Sequence, residues 1–419
     1  MKGKTQPAMK TPRAGRIGAL TAEPGGSGRR FALLALVVLI GLNLRPFLTA
    51  PGPLLPQVVS ETGMGYGVLA LLTLLPMALM GFGAFVSPRI QAAMGARRGI
   101  LLALLLVAAG CFLRLIAPDG VTFVATAAIC GAGVAFIQAV FPGIIKAEFP
   151  GHIPAVTGLY SAMLMGGGAL GARLSPLLTD HGLSWRQALA WLAAPALLAF
   201  VAALFVLKDS ATARPAKALA GQFLRRPRTW ILIAAFGLVN GGYSTMVAWL
   251  ASYYQAEGWT SAASGNLVAL MAVCQAVAAL SLPILARRNP DRRFWLYLTL
   301  VMQAIGFAGL AFLPLAAPLF WAGICGAGLG GGFALAIVTA LDHLERPEQA
   351  GVLVALMQGG GFLIAAIGPF AAAGLHGLTG SFSAGWIMHL ACVAIVACLY
   401  LRFDPKAYPQ VMGVAAQGA

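Results

Sequence analysis

The stretch Ile129-Cys130-Gly131-Ala132-Gly133 lies inside an apolar run, and it returns as Ile324-Cys325-Gly326-Ala327-Gly328, an offset of 195. Working outward, other matches keep nearly the same spacing. Gly166-Gly167-Gly168 pairs with Gly359-Gly360-Gly361 at 193, as does Pro176 with Pro369. Asn43 pairs with Asn240 at 197, and the basic loop ending Arg97-Arg98 with the one ending Arg292-Arg293. Chance can produce one such match. Several in order, at near-constant offset, mean two homologous halves.

Each half is built from apolar runs. Of 419 residues, 59% are hydrophobic and 10% charged, against roughly 25% charged in ordinary soluble domains. So few charges cannot cover a soluble surface, and the partner of most of the chain is the lipid bilayer. Runs long enough to span hydrocarbon as a helix fall near 31–57, 66–87, 99–117, 120–145, 154–179, 186–207, 229–255, 261–286, 294–313, 317–341, 350–375 and 383–402. Of the 28 Lys and Arg residues, 24 lie in the two tails and in every second loop. That is the positive-inside pattern, with both termini cytoplasmic and an even number of spans. The net charge of +16 is therefore topological, and no nucleic-acid partner is expected.

The sequence thus predicts an all-α membrane protein with twelve transmembrane helices in two pseudo-symmetric six-helix bundles. Residues 1–30 read as a disordered cytoplasmic tail with no signal-peptide core. Residues 31–207 form the first bundle, 208–228 a cytoplasmic linker, 229–402 the second bundle and 403–419 a second cytoplasmic tail. Parallel repeats of this kind place a solute site at their interface near mid-membrane. The glycine triplets serve close helix packing or, alternatively, sliding contacts.

Other functions find no support. The six cysteines sit in apolar runs without a CxxC pair and read as packing residues. Gly326-Ala327-Gly328-Leu329-Gly330-Gly331 matches a dinucleotide motif but follows no strand. With no metal-ligand cluster, nucleophile elbow or attached soluble domain, neither enzyme activity nor a cofactor or metal is expected.

Two segments carry a resemblance. The first span contains Leu42-Asn43-Leu44-Arg45-Pro46 and Gly52-Pro53-Leu54-Leu55, and the sixth opens Trp185-Arg186-Gln187-Ala188-Leu189. With the twelve-span layout, the chain resembles the cyanate and nitroimidazole transporter branch of the major facilitator superfamily over roughly residues 30–402. The resemblance implies the major facilitator fold. It also implies a central cavity lined by spans 1, 4, 7 and 10, helped by 2, 5, 8 and 11. One departure stands out: Ala92-Ala93-Met94-Gly95-Ala96-Arg97-Arg98 lacks the Asp and first Arg usual in that loop, which puts its charge latch in doubt.

Ionisable groups inside the hydrocarbon are functional candidates by default, at a cost of about 2.5–3.5 kcal/mol. Arg45 lies 14 residues past Phe31, roughly 21 Å along a helix at about 1.5 Å per residue. That is past the middle of a ~30 Å core. Prolines at 46, 51, 53 and 56 follow it, so the helix bends there. Arg45 either snorkels to the periplasmic face or binds an anion, for which a permanently charged fork of donors is suited. Thr49, four residues on, shares its face; Asn43 joins them only through the bend. Arg173 on the fifth span is a second candidate anion contact, while Arg114 and Arg186 read as snorkelling at outer ends. Gln138, Asn240, Tyr243 and Gln358 complete the candidate substrate-binding set, each also able to bond a neighbouring helix. Trp249, Tyr253 and Tyr254 read as an interfacial belt or, alternatively, a gate. His389 reads as packing.

No acid falls at mid-membrane. The expectation is a monomeric secondary transporter of a small, cyanate-like anion in the bacterial inner membrane, working by alternating access. Importing a monoanion costs about 2.3 kcal/mol per 100 mV of inside-negative potential, so a coupled proton or counter-anion is expected. The alternative is efflux of drug-like compounds such as nitroimidazoles.

Overall fold

The computed structural model describes residues 26–149, 152–208 and 217–413. Among them, helices α1 to α12 follow the expected order of spans. The first, α1, is broken: Gly26–Asn43, then Pro46–Thr49, a 3-10 turn at Gly52–Leu54, and Leu55–Thr62. The rest of the first half is α2 (Tyr66–Met94), α3 (Ala96–Leu113), α4 (Gly120–Glu148), α5 (Ile153–Asp180) and α6 (Trp185–Ala190 with Ala193–Val206). The second half is α7 (Pro227–Ala256), α8 (Ser261–Ala286), α9 (Arg293–Phe312), α10 (Pro318–Asp342), α11 (Pro347–Thr379) and α12 (Ser383–Tyr400).

Eleven of these are long and apolar enough to cross a membrane. The exception is α5, whose 28 residues are long enough but diluted by the glycine triplet and Arg173. It packs on α1 and α8, so protein lies along much of its length. Boundaries differ from expectation at three places. The first helix begins at Gly26, inside the expected tail. Lys217–Leu224 is helical within the expected linker, and Tyr408–Met412 forms a helical turn within the expected C-terminal tail. Residues 1–25, 209–216 and 414–419 lie outside the described residues.

The repeat is visible in the packing. In the first half α2 and α3 pack on α4, α5 on α1, and α6 on α1 and α3. The second half repeats this with α8 and α9 on α10, α11 on α7, and α12 on α7 and α9. Matched glycines do matched work. A Cβ on Gly131 or Gly326 would collide with backbone of α2 or α8, and one on Gly133 or Gly328 with backbone of α3 or α9. Of the triplets, Gly167 abuts the Leu42 carbonyl and Gly360 abuts Ile233, both inside a half, whereas Gly359 meets Ala84 and Phe85 across the interface.

The break in α1 follows from its prolines. Pro51 has no N–H to give the Phe47 carbonyl four residues back. Arg114 gives it one, at 3.0 Å, from a fully buried position. Arg114 therefore does not snorkel, because a carbonyl freed inside the bundle has no water to bond. Ser175 donates to the Ala50 carbonyl at 2.8 Å, and Gln255 to the Pro53 carbonyl at 2.9 Å. Arg186 instead stays at the rim, paired with Glu61 and stacked on Trp185.

At the end that carries both termini, the second half is clasped by its own last segment. The Tyr408 ring stacks on His343 at 3.7 Å, and the Arg228 guanidinium lies over Phe403 and donates to the Arg402 carbonyl. Arg292 pairs with Asp342 at 2.9 Å, and Arg293 with Asp291 and Asp404. In the first half the corresponding Arg97 donates to the Leu204 carbonyl.

Two predictions follow from this packing. Gly167→Val drives a side chain into the Leu42 carbonyl and should cost about 1–3 kcal/mol or more, read as a fall in thermal midpoint in detergent. Burial, with help from nearby Arg228, pushes His343 down to about 4. Its folded pKa lies below the unfolded value, so the stability tied to its neutral form is complete above about 6.5. That stability is lost as pH falls towards 4; a thermal midpoint scanned over this window should drop in the wild type and less in His343→Gln.

Candidate functional site

A small, tightly lined cavity lies between the two halves. The first half contributes Arg45, Leu164 and Met165. The second contributes Val239, Asn240, Tyr243, Gln275, Leu329 and Phe333. Arg45 reaches it because α1 stops being helical at Asn43: Arg45 sits in the break, with φ −120° and ψ −22°, before the short helix Pro46–Thr49.

The guanidinium is 2% exposed. Its Nη1 lies 3.9 Å from the Met77 sulfur, its Cζ stands 4.9 Å from the centre of the Tyr243 ring, and its Nε has no partner. Among the described residues it has no ion pair, and no carboxylate lines the cavity. A cation over a ring gains about 0.5–2 kcal/mol, far below the several kcal/mol that removing an ion from water costs. The site is a donor-rich cation short of negative charge.

Three of the eight expected residues come together here: Arg45, Asn240 and Tyr243. Asn240 anchors its amide on the Phe236 carbonyl at 2.8 Å. Thr49 turns instead to α5, donating to the Gly168 carbonyl at 2.8 Å. Asn43 does not join: its amide donates to Leu39 and, across to α6, to the Pro195 carbonyl at 3.1 Å. The bend in α1 begins after Asn43 and does not turn it inward. Gln138 and Gln358 are half-buried on α4 and α11 and line no part of the cavity. Arg173 on α5 is exposed and lines no part of this cavity.

Gln275 was missed. It is 2% exposed, lines the cavity from α8, and its Oε1 has no partner. The signal was a lone amide in the middle of an apolar span, the same signal that picks out Gln138.

The end of the bundle remote from the termini is shut. Every residue of α1 from Asn43 to Leu55 is buried, and α7 from Val239 to Tyr254 is buried apart from half-buried Tyr243 and Ser252. Trp249 is 1% exposed and donates to the Pro369 carbonyl; Tyr253 and Tyr254 bond the carbonyls of Leu310 and Pro314. These three are a buried plug, not an interfacial belt. Tyr66 of the first half closes it, 4.6 Å from the His376 ring and 5.9 Å from Trp249. His389 lies apart in a packed crevice within the second half, bonded to Thr245 at 2.8 Å.

Two repeated helical bundles around a shared polar cavity define a multi-pass membrane transporter of small solutes. The chain belongs to the Major Facilitator Superfamily, whose family model matches residues 31–369. It is 42% identical over 380 residues to the cyanate transport protein CynX of Escherichia coli (strain K12), covering 90% of this chain and 99% of that one. It is 28% identical to the 2-nitroimidazole transporter of the same organism, covering 92% and 97%. These relatives are transporters, not enzymes. In fold it resembles a bacterial homolog of the human lysosomal transporter Spinster in an inward-facing, unoccupied conformation (TM-score 0.72, 14% identity, covering 93% and 99%). It also resembles a D-xylose–proton symporter (TM-score 0.73, 15% identity, covering 90% and 98%).

Because Arg173 is exposed and lines no part of the cavity, Arg173→Gln should leave transport unchanged and stability within about 0.5 kcal/mol, measured by uptake in proteoliposomes and by thermal midpoint.

Proposed function

We propose that this chain carries a small monovalent anion of the cyanate type across the bacterial inner membrane by alternating access. The observation that carries the reading is Arg45: buried between the halves, one nitrogen unpartnered, with no counter-charge among the described residues. An anion in the cavity supplies that charge. Charge-assisted bonds to guanidinium are about twice as strong as neutral ones and can form in parallel pairs. Asn240, Tyr243 and Gln275 complete the contacts, while Thr49 and Asn43 hold the break that aims Arg45. The placement of Lys and Arg supports both termini facing the cytoplasm. With the cavity complete within one chain, a monomer suffices. The 42% identical cyanate transporter supports the choice of anion.

The apolar part of the lining, Leu164, Met165, Leu329 and Phe333, favours a second reading, export of flat, weakly polar compounds such as nitroimidazoles. Resistance that survives loss of Arg45 would select it.

The direct test is Arg45→Ala. Cyanate should raise the thermal midpoint of the wild type and not of the variant, and uptake in proteoliposomes should fall by at least about a hundredfold, as for an unpaired charge-assisted contact. Normal uptake by well-folded Arg45→Ala rejects the anion role. Gln275→Leu should weaken cyanate binding by about tenfold, the worth of one hydrogen bond.

A further inference from the structure

We infer that the carrier is an obligate anion exchanger, one that changes sides only when loaded. The inference rests on the anion-binding reading of Arg45 and adds the mode of transport.

A carrier that alternates must pass through a state in which the cavity is closed to both sides. In that state Arg45 is out of water. The protein groups around it include the Met77 sulfur, the Tyr243 ring, the Tyr160 phenol and the amides of Asn240 and Gln275, none of them a carboxylate. The buried plug of Trp249, Tyr253 and Tyr254, met by Tyr66, keeps bulk water from the remote end. A cation enclosed without a partner is strongly destabilised, and one enclosed with an anion is not. The loaded carrier therefore crosses easily and the empty one does not.

Proton coupling needs a group that takes a proton on one side and releases it on the other. Besides Arg45, the titratable groups here are the phenols of Tyr243, which lines the cavity, and of buried Tyr160 on α5, which feels the Arg45 charge; no carboxylate or histidine lines the cavity. His389 is held in a separate crevice, faced by Thr245 from α7, Gln303 and Phe307 from α9 and Cys392 from its own helix. With neither a carboxylate nor a histidine lining the cavity beside Arg45, the return step is made by a second anion moving the other way. One-for-one exchange of monoanions moves no net charge, so the membrane potential does not oppose it.

The test uses purified full-length protein in vesicles and labelled cyanate as the probe. Vesicles preloaded with unlabelled cyanate should take up label on the order of a hundredfold faster than unloaded ones, the scale of leaving a buried charge unpaired. An inward proton gradient should not replace the preloading. Net uptake into unloaded vesicles, with or without that gradient, overturns exchange while leaving the anion reading intact. No protein-dependent cyanate uptake under any loading overturns the anion reading and the exchange mode with it.

Discussion

Inside a bilayer a backbone carbonyl that loses its helical donor has no water to turn to, and this constraint organises the first half of the molecule. Three prolines break α1 between Asn43 and Leu55, and the freed carbonyls draw in donors from elsewhere in the bundle: Arg114 just past the end of α3, Ser175 from α5 and Gln255 from α7. The last of these crosses between the halves. The same break lifts Arg45 out of helical register and lets its side chain reach the interface cavity. Removing the break would straighten α1 and take the cation with it.

The architecture was legible because it rests on two signals that survive in one dimension, the spacing of repeated glycines and the alternation of basic loops. Gly131 and Gly326 mark the same contact in both halves because only a bare Cα fits there. The site was half legible. A polar residue in an apolar run announces its depth, which sufficed for Arg45, Asn240 and Tyr243. It does not announce which way the residue faces or what neighbour needs it. Arg114 and Arg173 show the difference: the first is buried against a carbonyl freed by a proline 63 positions earlier in the chain, and the second is exposed. Gln275 carried the same signal as the other amides and sat on a helix given only a supporting role.

The two halves have kept their scaffold and diverged in chemistry. Asn43 and Asn240 occupy matched places, yet one ties α1 to α6 and the other faces the solute cavity. The residue matching Arg45 at the same offset is Gly242, where α7 meets Phe307. A single off-axis charge makes the cavity asymmetric although its walls are related by a repeat.

The weakly apolar α5 bears on how the protein is made. A segment that falls short of the apolarity of its eleven companions gains little from lipid as it leaves the ribosome, and its glycine face is shaped for α1, already synthesised, rather than for acyl chains. Its residence in the bilayer is secured by a neighbour, so insertion of the first bundle is a cooperative event and not a series of independent ones. The small-residue surface that lets α5 pack closely on the broken first helix makes α5 the point at which biogenesis depends on tertiary contact.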